Sequence, residues 1–255
     1  MRFAYDDAGR GDCVVLIHGH PFDRTLWEPQ VAALRDGFRV LAPDLRGFGQ
    51  SPVTPHLVTM REYAADIEQL LDDLKITRAA VIGLSMGGLV TMELAASRPE
   101  RYWAIGLVAT TIEPPTPGER MTRLERAAAV ERDGMTVLVD YMHTGLYGPA
   151  CPPAVRARVD AMMSAAPPAG AAAALRGRAG RPDYRPLLAA LDIPALVCTG
   201  SADPWSDQAV TAEIVASLKR PETFVIDGVG HLPNLEAESE FNAALDAFLR
   251  AHAPA

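Results

Sequence analysis

The chain has 255 residues, of which 49% are hydrophobic and 22% charged, and its formal net charge is −8. This length suits a single domain with an insertion, and the composition is ordinary for a globular enzyme. The negative charge, with no basic run, argues against nucleic acid and anionic membrane surfaces as partners. No apolar run approaches the ~18 residues of a membrane span, and residues 1–7 lack the apolar core of a signal peptide, so we expect neither feature.

The three cysteines are Cys13, Cys151 and Cys198. They are odd in number, widely spaced and without a CxxC pair, so they predict reduced, mostly buried thiols in a cytoplasmic protein. None has a neighbour that suggests metal ligation. We therefore expect no metal site.

The first part of the chain alternates apolar runs with segments of helical spacing. The predicted elements are an edge strand at 2–5, a turn at 7–12, strands at 13–17, 38–43 and 79–84, and helices at 27–34, at 59–74 and from 86 to 98. The continuous apolar run at 13–17 is typical of a strand buried on both faces of a parallel sheet. Thr59 and Glu62 have the spacing of a capping box, which predicts that a helix begins there.

The alternation is interrupted once in the second part. After a predicted strand at 103–109, the segment 116–184 is helical and is broken by glycine and proline into four short helices. Strands at 195–199 and 223–226 and helices at 208–218 and 238–252 then follow. This order predicts an α/β fold with a mostly parallel sheet covered by helices on both faces. We expect residues 1–113 and 186–255 to form the core and 114–185 a helical cap.

The strand at 79–84 leads directly into Gly83-Leu84-Ser85-Met86-Gly87 and a helix. A serine on such a sharp strand-to-helix turn adopts strained backbone angles, and a Cβ two residues away on either side is predicted to collide across the turn. The G-x-S-x-G pattern alone is a weak signal. The flanking strand and helix strengthen it, and they make Ser85 a candidate nucleophile.

Two further groups follow later strands. Asp203 comes after the strand at 195–199, and His231 comes after the strand at 223–226. A parallel sheet gathers its strand-to-helix loops at one edge, so Ser85, Asp203 and His231 are predicted to converge. In this triad His231 would take the serine proton and pass it to the leaving group, while Asp203 would orient the imidazole.

The oxyanion that forms on attack needs hydrogen-bond donors. The backbone N–H of Met86 is the first candidate, because it opens the helix after the serine. The loop His18-Gly19-His20-Pro21 follows the strand at 13–17, and the backbone N–H of His20 is the second candidate.

These motifs together resemble the α/β-hydrolase superfamily, specifically cap-bearing members close to small esterases and 3-oxoadipate enol-lactonases. The resemblance covers nearly the whole chain and rests on five segments: 18–21, Asp44-Leu45-Arg46-Gly47-Phe48-Gly49-Gln50-Ser51, Gly83-Leu84-Ser85-Met86-Gly87-Gly88, Gly200-Ser201-Ala202-Asp203 and Gly230-His231-Leu232-Pro233-Asn234-Leu235-Glu236. It implies an eight-stranded sheet with a lid between strands six and seven. The first family strand would be short or absent here, which leaves about seven to eight strands.

Several assignments have alternatives. Glu113 is an alternative triad acid, because related enzymes can place the acid after the sixth strand. His18 and His20 flank Gly19, but a metal site would need two further ligands that the sequence does not supply. The residues predicted to contact substrate are His20, Trp205, Met142 and Leu232.

The leading hypothesis is hydrolysis of a carboxylic ester or lactone of a small, largely apolar molecule through an acyl-enzyme on Ser85, with no cofactor and no metal. Dehalogenase and epoxide hydrolase chemistry would need aspartate at that position. Alternatives are a carbon–carbon hydrolase, although the oxyanion loop lacks the usual extra small residues, a perhydrolase, and a ligand sensor with vestigial hydrolysis. A monomer or homodimer is expected. Seven arginines leave an anionic substrate open: Arg120, Arg123, Arg126, Arg156, Arg158, Arg176 and Arg178.

Overall fold

The computed structural model describes residues 3–54 and 56–254. Within them lie seven strands: β1 (Tyr5–Gly9), β2 (Cys13–Ile17), β3 (Arg39–Pro43), β4 (Ala79–Leu84), β5 (Tyr102–Val108), β6 (Ala195–Gly200) and β7 (Pro221–Ile226). They form one sheet in the order β1-β3-β2-β4-β5-β6-β7. β1 is antiparallel to β3, and the other pairs are parallel. The predicted α/β class is confirmed.

The helices in the same residues are α1 (Glu28–Leu34), α2 (Met60–Asp73), α3 (Met86–Ser97), α4 (Pro117–Asp133), α5 (Thr136–Met142), α6 (Pro153–Ala165), α7 (Pro168–Ala179), α8 (Arg185–Ala190), α9 (Gln208–Ala216), α10 (Pro233–Glu236) and α11 (Glu238–His252), with 3₁₀ turns at Arg24–Trp27 and Pro99–Arg101. β2, β4, β5 and β6 are buried along their whole length, as continuous apolar runs predict for strands covered on both faces. None of the described helices is long and apolar enough to cross a membrane.

The first strand lies further along the chain than predicted. β1 runs from Tyr5 to Gly9, through residues assigned to a turn, while Arg2 of the predicted strand lies outside the described residues. Asp7 in β1 forms an ion pair with Arg39 of β3 at 2.7 Å, so the polar residues suit a half-exposed edge strand. The sequence predicts a turn there because these residues are polar. An edge strand can also be polar, since it buries only part of each side chain.

The capping box at the start of α2 is present. The Thr59 hydroxyl accepts a hydrogen bond from the Glu62 amide at 3.1 Å, and the Glu62 carboxylate accepts one from the Thr59 amide at 2.7 Å. These two bonds satisfy backbone donors that a helix start would otherwise leave free.

Helices α4 to α8 lie between β5 and β6, where the sequence predicts the helical insertion, and α4 to α7 match the four helices expected there. The predicted breaks have clear local causes. α4 ends at Asp133 and is followed by Gly134, whose φ of 83° favours glycine, and α6 and α7 each begin with a proline, Pro153 and Pro168. The insertion follows the fifth strand here, which is the sixth of the eight-stranded pattern.

Candidate active site

Ser85 lies between β4 and α3 with φ 55° and ψ −111°, a strained conformation for a residue with a side chain. A Cβ on Gly83 would overlap the carbonyl of Gly87 across the turn, as predicted. A Cβ on Gly87 would instead overlap the carbonyl of Ile17 in β2. The second glycine is therefore required by the neighbouring strand, which differs from the predicted collision across the turn.

The strained turn is held by hydrogen bonds on both sides of Ser85. Its amide donates to the Val108 carbonyl at 2.8 Å, and its carbonyl accepts from the Thr110 hydroxyl at 2.8 Å. Conformations of this kind cost on the order of 1–3 kcal/mol and persist where the surroundings hold them in place. The serine is thereby fixed at the end of β4.

Asp203 and His231 are brought together by the ends of β6 and β7. The Asp203 carboxylate is 2.7 Å from Nδ1 of His231, and both side chains are buried. The same carboxylate accepts hydrogen bonds from the Trp205 amide at 2.9 Å and from the Ser206 hydroxyl. Burial opposes ionisation of Asp203, but His231, Ser206 and Trp205 outweigh it and lower its pKa below the usual value.

This contact sets the tautomer of the histidine. An ionised carboxylate only accepts hydrogen bonds, so in the neutral imidazole Nδ1 of His231 carries the proton and Nε2 has the free electron pair. The alternative acid, Glu113, is exposed and lies 3.5 Å from Arg185 instead. The geometry therefore pairs His231 with Asp203.

The loop that carries His231 is also bonded to the helical insertion. The His231 amide donates to the Leu146 carbonyl at 2.9 Å, and the Glu236 carboxylate accepts from the Gly148 amide at 2.8 Å. Glu236 also accepts from the Gly230 amide at 3.3 Å, next to the histidine. The loop with His231 and the segment after α5 are thus joined through hydrogen bonds to backbone groups.

Ser85 and His231 open onto one cavity of about 460 Å³. It is bounded by the ends of the strands and by α4, α5 and α7 of the insertion. Among the described residues the Ser85 hydroxyl has no hydrogen-bond partner, so the structure places the serine and the histidine at the same cavity without a direct hydrogen bond between them.

The two amides predicted to donate hydrogen bonds to the oxyanion belong to segments next to Ser85. Met86 is the first residue of α3, where the N-terminal amides of a helix have no partner within the helix. His20 lies in the loop after β2, and Gly19 beside it approaches Ser85 so closely that a Cβ there would lie 3.3 Å from the serine Cβ. Neither amide donates to another described residue.

His18 lies beneath the site and is fully buried. Its Nε2 accepts from the Leu45 amide at 2.9 Å, so Nδ1 carries the proton and donates to the Gly19 carbonyl at 2.8 Å. Burial lowers its pKa, which agrees with this neutral form. His18 joins the loops after β2 and β3, and it does not reach the cavity lining.

The His20 side chain does line the cavity, yet it is only 2% exposed. Its Nε2 is 3.0 Å from the Ala171 carbonyl of α7, and Nδ1 has no partner among the described residues. Burial, followed by the positive charge of Arg178, lowers the pKa of His20 to about 3. The neutral imidazole thus ties the loop after β2 to the insertion.

Two of the other predicted substrate contacts, Trp205 and Met142, line the cavity as well. Leu232 is fully buried outside the lining, because it packs inward at the start of α10, and this speaks against its predicted contact with substrate. Trp205 lies edge-on to His231 with ring centroids 4.9 Å apart. Tyr141 stacks on the other side of Trp205 at 5.9 Å.

The lining also contains polar residues that were not predicted to contact substrate: Thr110, Thr111, Glu119, Thr122, Tyr141 and Arg181. Three of the seven arginines that leave an anionic substrate open, Arg123, Arg126 and Arg178, line it too. The cavity is therefore less apolar than expected. Arg123 and Arg126 are spaced i, i+3, which places them on the same face of α4. Arg178 and Arg181 have the same spacing at the end of α7. That spacing was the signal available in the sequence.

A serine on a strained strand-to-helix turn, a paired aspartate and histidine at the same sheet edge, and a helical insertion above them define the α/β-hydrolase class. The family model described as "Alpha/beta hydrolase family" matches residues 14–244. The chain belongs to the α/β-hydrolase family.

Several enzymes are similar to it. The "3-oxoadipate enol-lactonase 1" of Acinetobacter baylyi is 30% identical over 231 residues, which cover 89% of this chain and 85% of the relative. A thermophilic esterase from Thermogutta terrifontis, solved with malate bound, matches with TM-score 0.96 and 36% identity over 98% of this chain and 94% of its own. The enol-lactonase from Burkholderia xenovorans LB400 matches with TM-score 0.90 and 28% identity over 97% and 96%. The chain is thus a hydrolase-family enzyme close to esterases and enol-lactonases.

Proposed function

We propose that this protein hydrolyses a carboxylic ester or lactone through an acyl-enzyme on Ser85. The observation that carries the proposal is the 2.7 Å contact between Asp203 and Nδ1 of His231 at the cavity onto which Ser85 opens. The relatives named as esterase and enol-lactonases support the same reaction class.

In the acylation step Nε2 of His231 accepts the proton from the Ser85 hydroxyl as Oγ forms a bond to the substrate carbonyl carbon. The imidazolium that results lies beside the ionised carboxylate of Asp203, which stabilises it. The carbon–oxygen bond to the alcohol group then breaks, and His231 returns the proton to the departing oxygen. The lowered pKa of Asp203 keeps this carboxylate ionised at neutral pH.

The tetrahedral intermediate carries a negative oxygen. The amides of His20 and Met86 are proposed to donate to it, since neither is used by another described residue. Losing one such donor costs on the order of 10²–10³-fold in rate in related chemistry. In the second half of the reaction, water attacks the acyl-enzyme with His231 as base, and the carboxylic acid product and free Ser85 are released.

Residues 114–185 are proposed to act as a cap that shapes the substrate cavity, because α4, α5 and α7 supply much of its lining. Cys13, Cys151 and Cys198 are buried and free, which supports the expected reducing, cytoplasmic location. The substrate is proposed to be a small molecule, since the cavity of about 460 Å³ is in the range of small-ligand pockets.

The test is the Ser85→Ala variant, assayed with p-nitrophenyl acetate. We expect kcat/KM to fall by about 10³-fold or more, because the acyl-enzyme can no longer form. Ser97→Ala is the matched control: Ser97 is exposed at the end of α3, and its replacement should leave the rate unchanged. A serine-directed phosphonate should add its mass to Ser85 in the parent protein. Retained ester hydrolysis in Ser85→Ala would contradict the mechanism.

A further inference from the structure

The carboxylate of Glu236, the last residue of α10, accepts hydrogen bonds from three backbone amides. Gly148 donates to Oε2 at 2.8 Å, and Gly230 donates to the same oxygen at 3.3 Å. Leu232 donates to Oε1, also at 3.3 Å. Glu236 is not part of the cavity lining, so it does not contact a molecule bound there. Any effect of this side chain on the reaction must therefore pass through the three amides.

Two of the three donors are the immediate neighbours of the histidine. Gly230 and Leu232 donate to Glu236, and the His231 amide between them donates to the Leu146 carbonyl at 2.9 Å. Three consecutive N–H groups of this loop are thus fixed, two of them by one carboxylate. The Glu236 amide donates in turn to the Leu232 carbonyl at 2.8 Å. The backbone on both sides of the histidine is therefore held by Glu236.

Two glycines allow the insertion to reach the same carboxylate. A Cβ on Gly148 would lie 2.7 Å from the Gly230 nitrogen and 3.0 Å from Oε2 of Glu236, and a Cβ on Gly230 would overlap the Gly148 nitrogen. These positions leave no room for a side chain. The two backbone segments therefore meet directly, and Oε2 accepts a hydrogen bond from each of them.

The segment that contains Gly148 is itself anchored to α6. The Tyr147 hydroxyl donates to the Asp160 carboxylate at 2.6 Å, and Nη2 of Arg156 donates to the Gly148 carbonyl at 3.0 Å. Gly148 is thus held through both its amide and its carbonyl. Glu236 consequently joins the histidine loop to a supported part of the insertion.

We propose that Glu236 is a positioning residue for the general base: its carboxylate keeps the imidazole of His231 where it can accept the proton of Ser85. The proposal rests on the proposed hydrolase function and adds a residue to its machinery. Hydrogen bonds to an ionised carboxylate are among the stronger ones in proteins, which suits this role. A misplacement of about 1 Å can cost about 100-fold in rate, so the placement of the base matters.

The kinetic test uses Glu236→Gln, with Glu238→Gln as the matched control because Glu238 is exposed at the start of α11. Glutamine has a similar shape but a single oxygen, so its NH₂ group must face at least one of the three amide donors. We expect kcat for p-nitrophenyl acetate to fall by about 10-fold or more in Glu236→Gln, with KM changed by less than about 3-fold. Because His231 acts in both half-reactions, kcat should fall whichever of them limits the rate. A kcat within about 3-fold of the parent, or a KM that changes as much as kcat, would overturn the proposal.

Gly148→Ala perturbs the same carboxylate from the insertion. The added Cβ would lie 2.5 Å from the Gly228 carbonyl oxygen and would crowd Oε2, so kcat should again fall by about 10-fold or more. Gly118→Ala, whose Cβ meets nothing within 4 Å, should keep the parent rate. The double variant Glu236→Gln/Gly148→Ala should be no more than about 3-fold slower than the slower single variant, since both changes disturb one contact. A double loss equal to the product of the single losses would show independent effects and contradict the proposal.

Hydrogen exchange tests the positioning without turnover. Amide exchange is followed by mass spectrometry in the parent and in Glu236→Gln, which also decides the matter should Gly148→Ala not fold. We expect the peptide that contains 230–232 to exchange at least about 10-fold faster in Glu236→Gln, and peptides from β4 to be unchanged. Equal exchange at 230–232, or equal acceleration in β4, would refute the role of Glu236. Faster exchange confined to 230–232 in a protein that hydrolyses no ester would instead refute the hydrolase function alone.

Discussion

The buried imidazole of His20 makes a specific prediction about stability in mild acid. The folded protein holds the pKa of His20 at about 3, because burial and the nearby Arg178 charge oppose protonation. In the unfolded chain the side chain titrates near its ordinary value of 6.5. Between these two values the unfolded state binds the proton and the folded state does not. Stability therefore falls as the pH decreases from about 6.5.

The size of the effect follows from the linkage relation. Each pH unit within this window costs about 1.4 kcal/mol per group, so acidification from about pH 7 to pH 5 should remove about 2 kcal/mol through His20. His18 is also buried with a lowered pKa and adds to the loss in the same direction. The lowered pKa of Asp203 affects stability only at lower pH, because its ordinary value is already 3.8.

The assay is urea unfolding of the parent protein and of His20→Gln at about pH 7 and pH 5. Glutamine keeps a donor at a reach similar to Nε2, which bonds the Ala171 carbonyl at 3.0 Å, but it does not titrate. Between the two pH values the free energy of unfolding of the parent should fall by about 2 kcal/mol more than that of the variant, whatever the difference in stability between the two proteins at pH 7. An equal loss in both proteins would refute the assignment of His20 as a buried, neutral histidine.

Two further results are expected. Asp203→Asn should lower kcat for p-nitrophenyl acetate by about 10³- to 10⁴-fold with little change in KM, because the amide can hold His231 in the wrong tautomer. Glu113→Gln should hydrolyse the ester as fast as the parent protein. The opposite pattern would make Glu113 the acid. Gly83→Ala should lower the free energy of unfolding by at least about 2 kcal/mol, and with it the melting temperature, because the added Cβ overlaps the Gly87 carbonyl. Gly118→Ala in α4 is the control: its Cβ meets nothing within 4 Å, so the change should be neutral or stabilising by up to about 1 kcal/mol. Equal melting temperatures of the two variants would contradict the steric account of the turn.

The elements that the sequence predicts well are those whose signals are local. The apolar run of β2, the capping box at Thr59 and the prolines that open α6 and α7 each determine structure within a few residues. The order of Ser85, Asp203 and His231 predicts their meeting at one sheet edge, because a parallel sheet collects its loops there. Tertiary contacts are not needed for these inferences.

The features that the sequence predicts poorly depend on packing between distant segments. The polar strand β1 is recognisable only once its pairing with β3 is known. Gly87 is required by the Ile17 carbonyl of another strand, and Leu232 turns inward with α10. The arginine cluster exists because α4 packs against α7 and brings residues more than 50 positions apart to one wall. The i, i+3 spacing within a helix shows that two arginines share a face, but it does not show which other element that face packs against.

The hydrogen bonds from His231 to Leu146 and from Gly148 to Glu236 bear on how the substrate range of this protein could be changed. The segment after α5 belongs to the insertion that is proposed to shape the substrate cavity, yet it also supports the backbone of the proposed general base. Under the proposed function, substrate range and reactivity are therefore not independent of each other. A chimera that exchanges the insertion would have to keep the 146–148 backbone in place, or the new specificity would come with a displaced histidine.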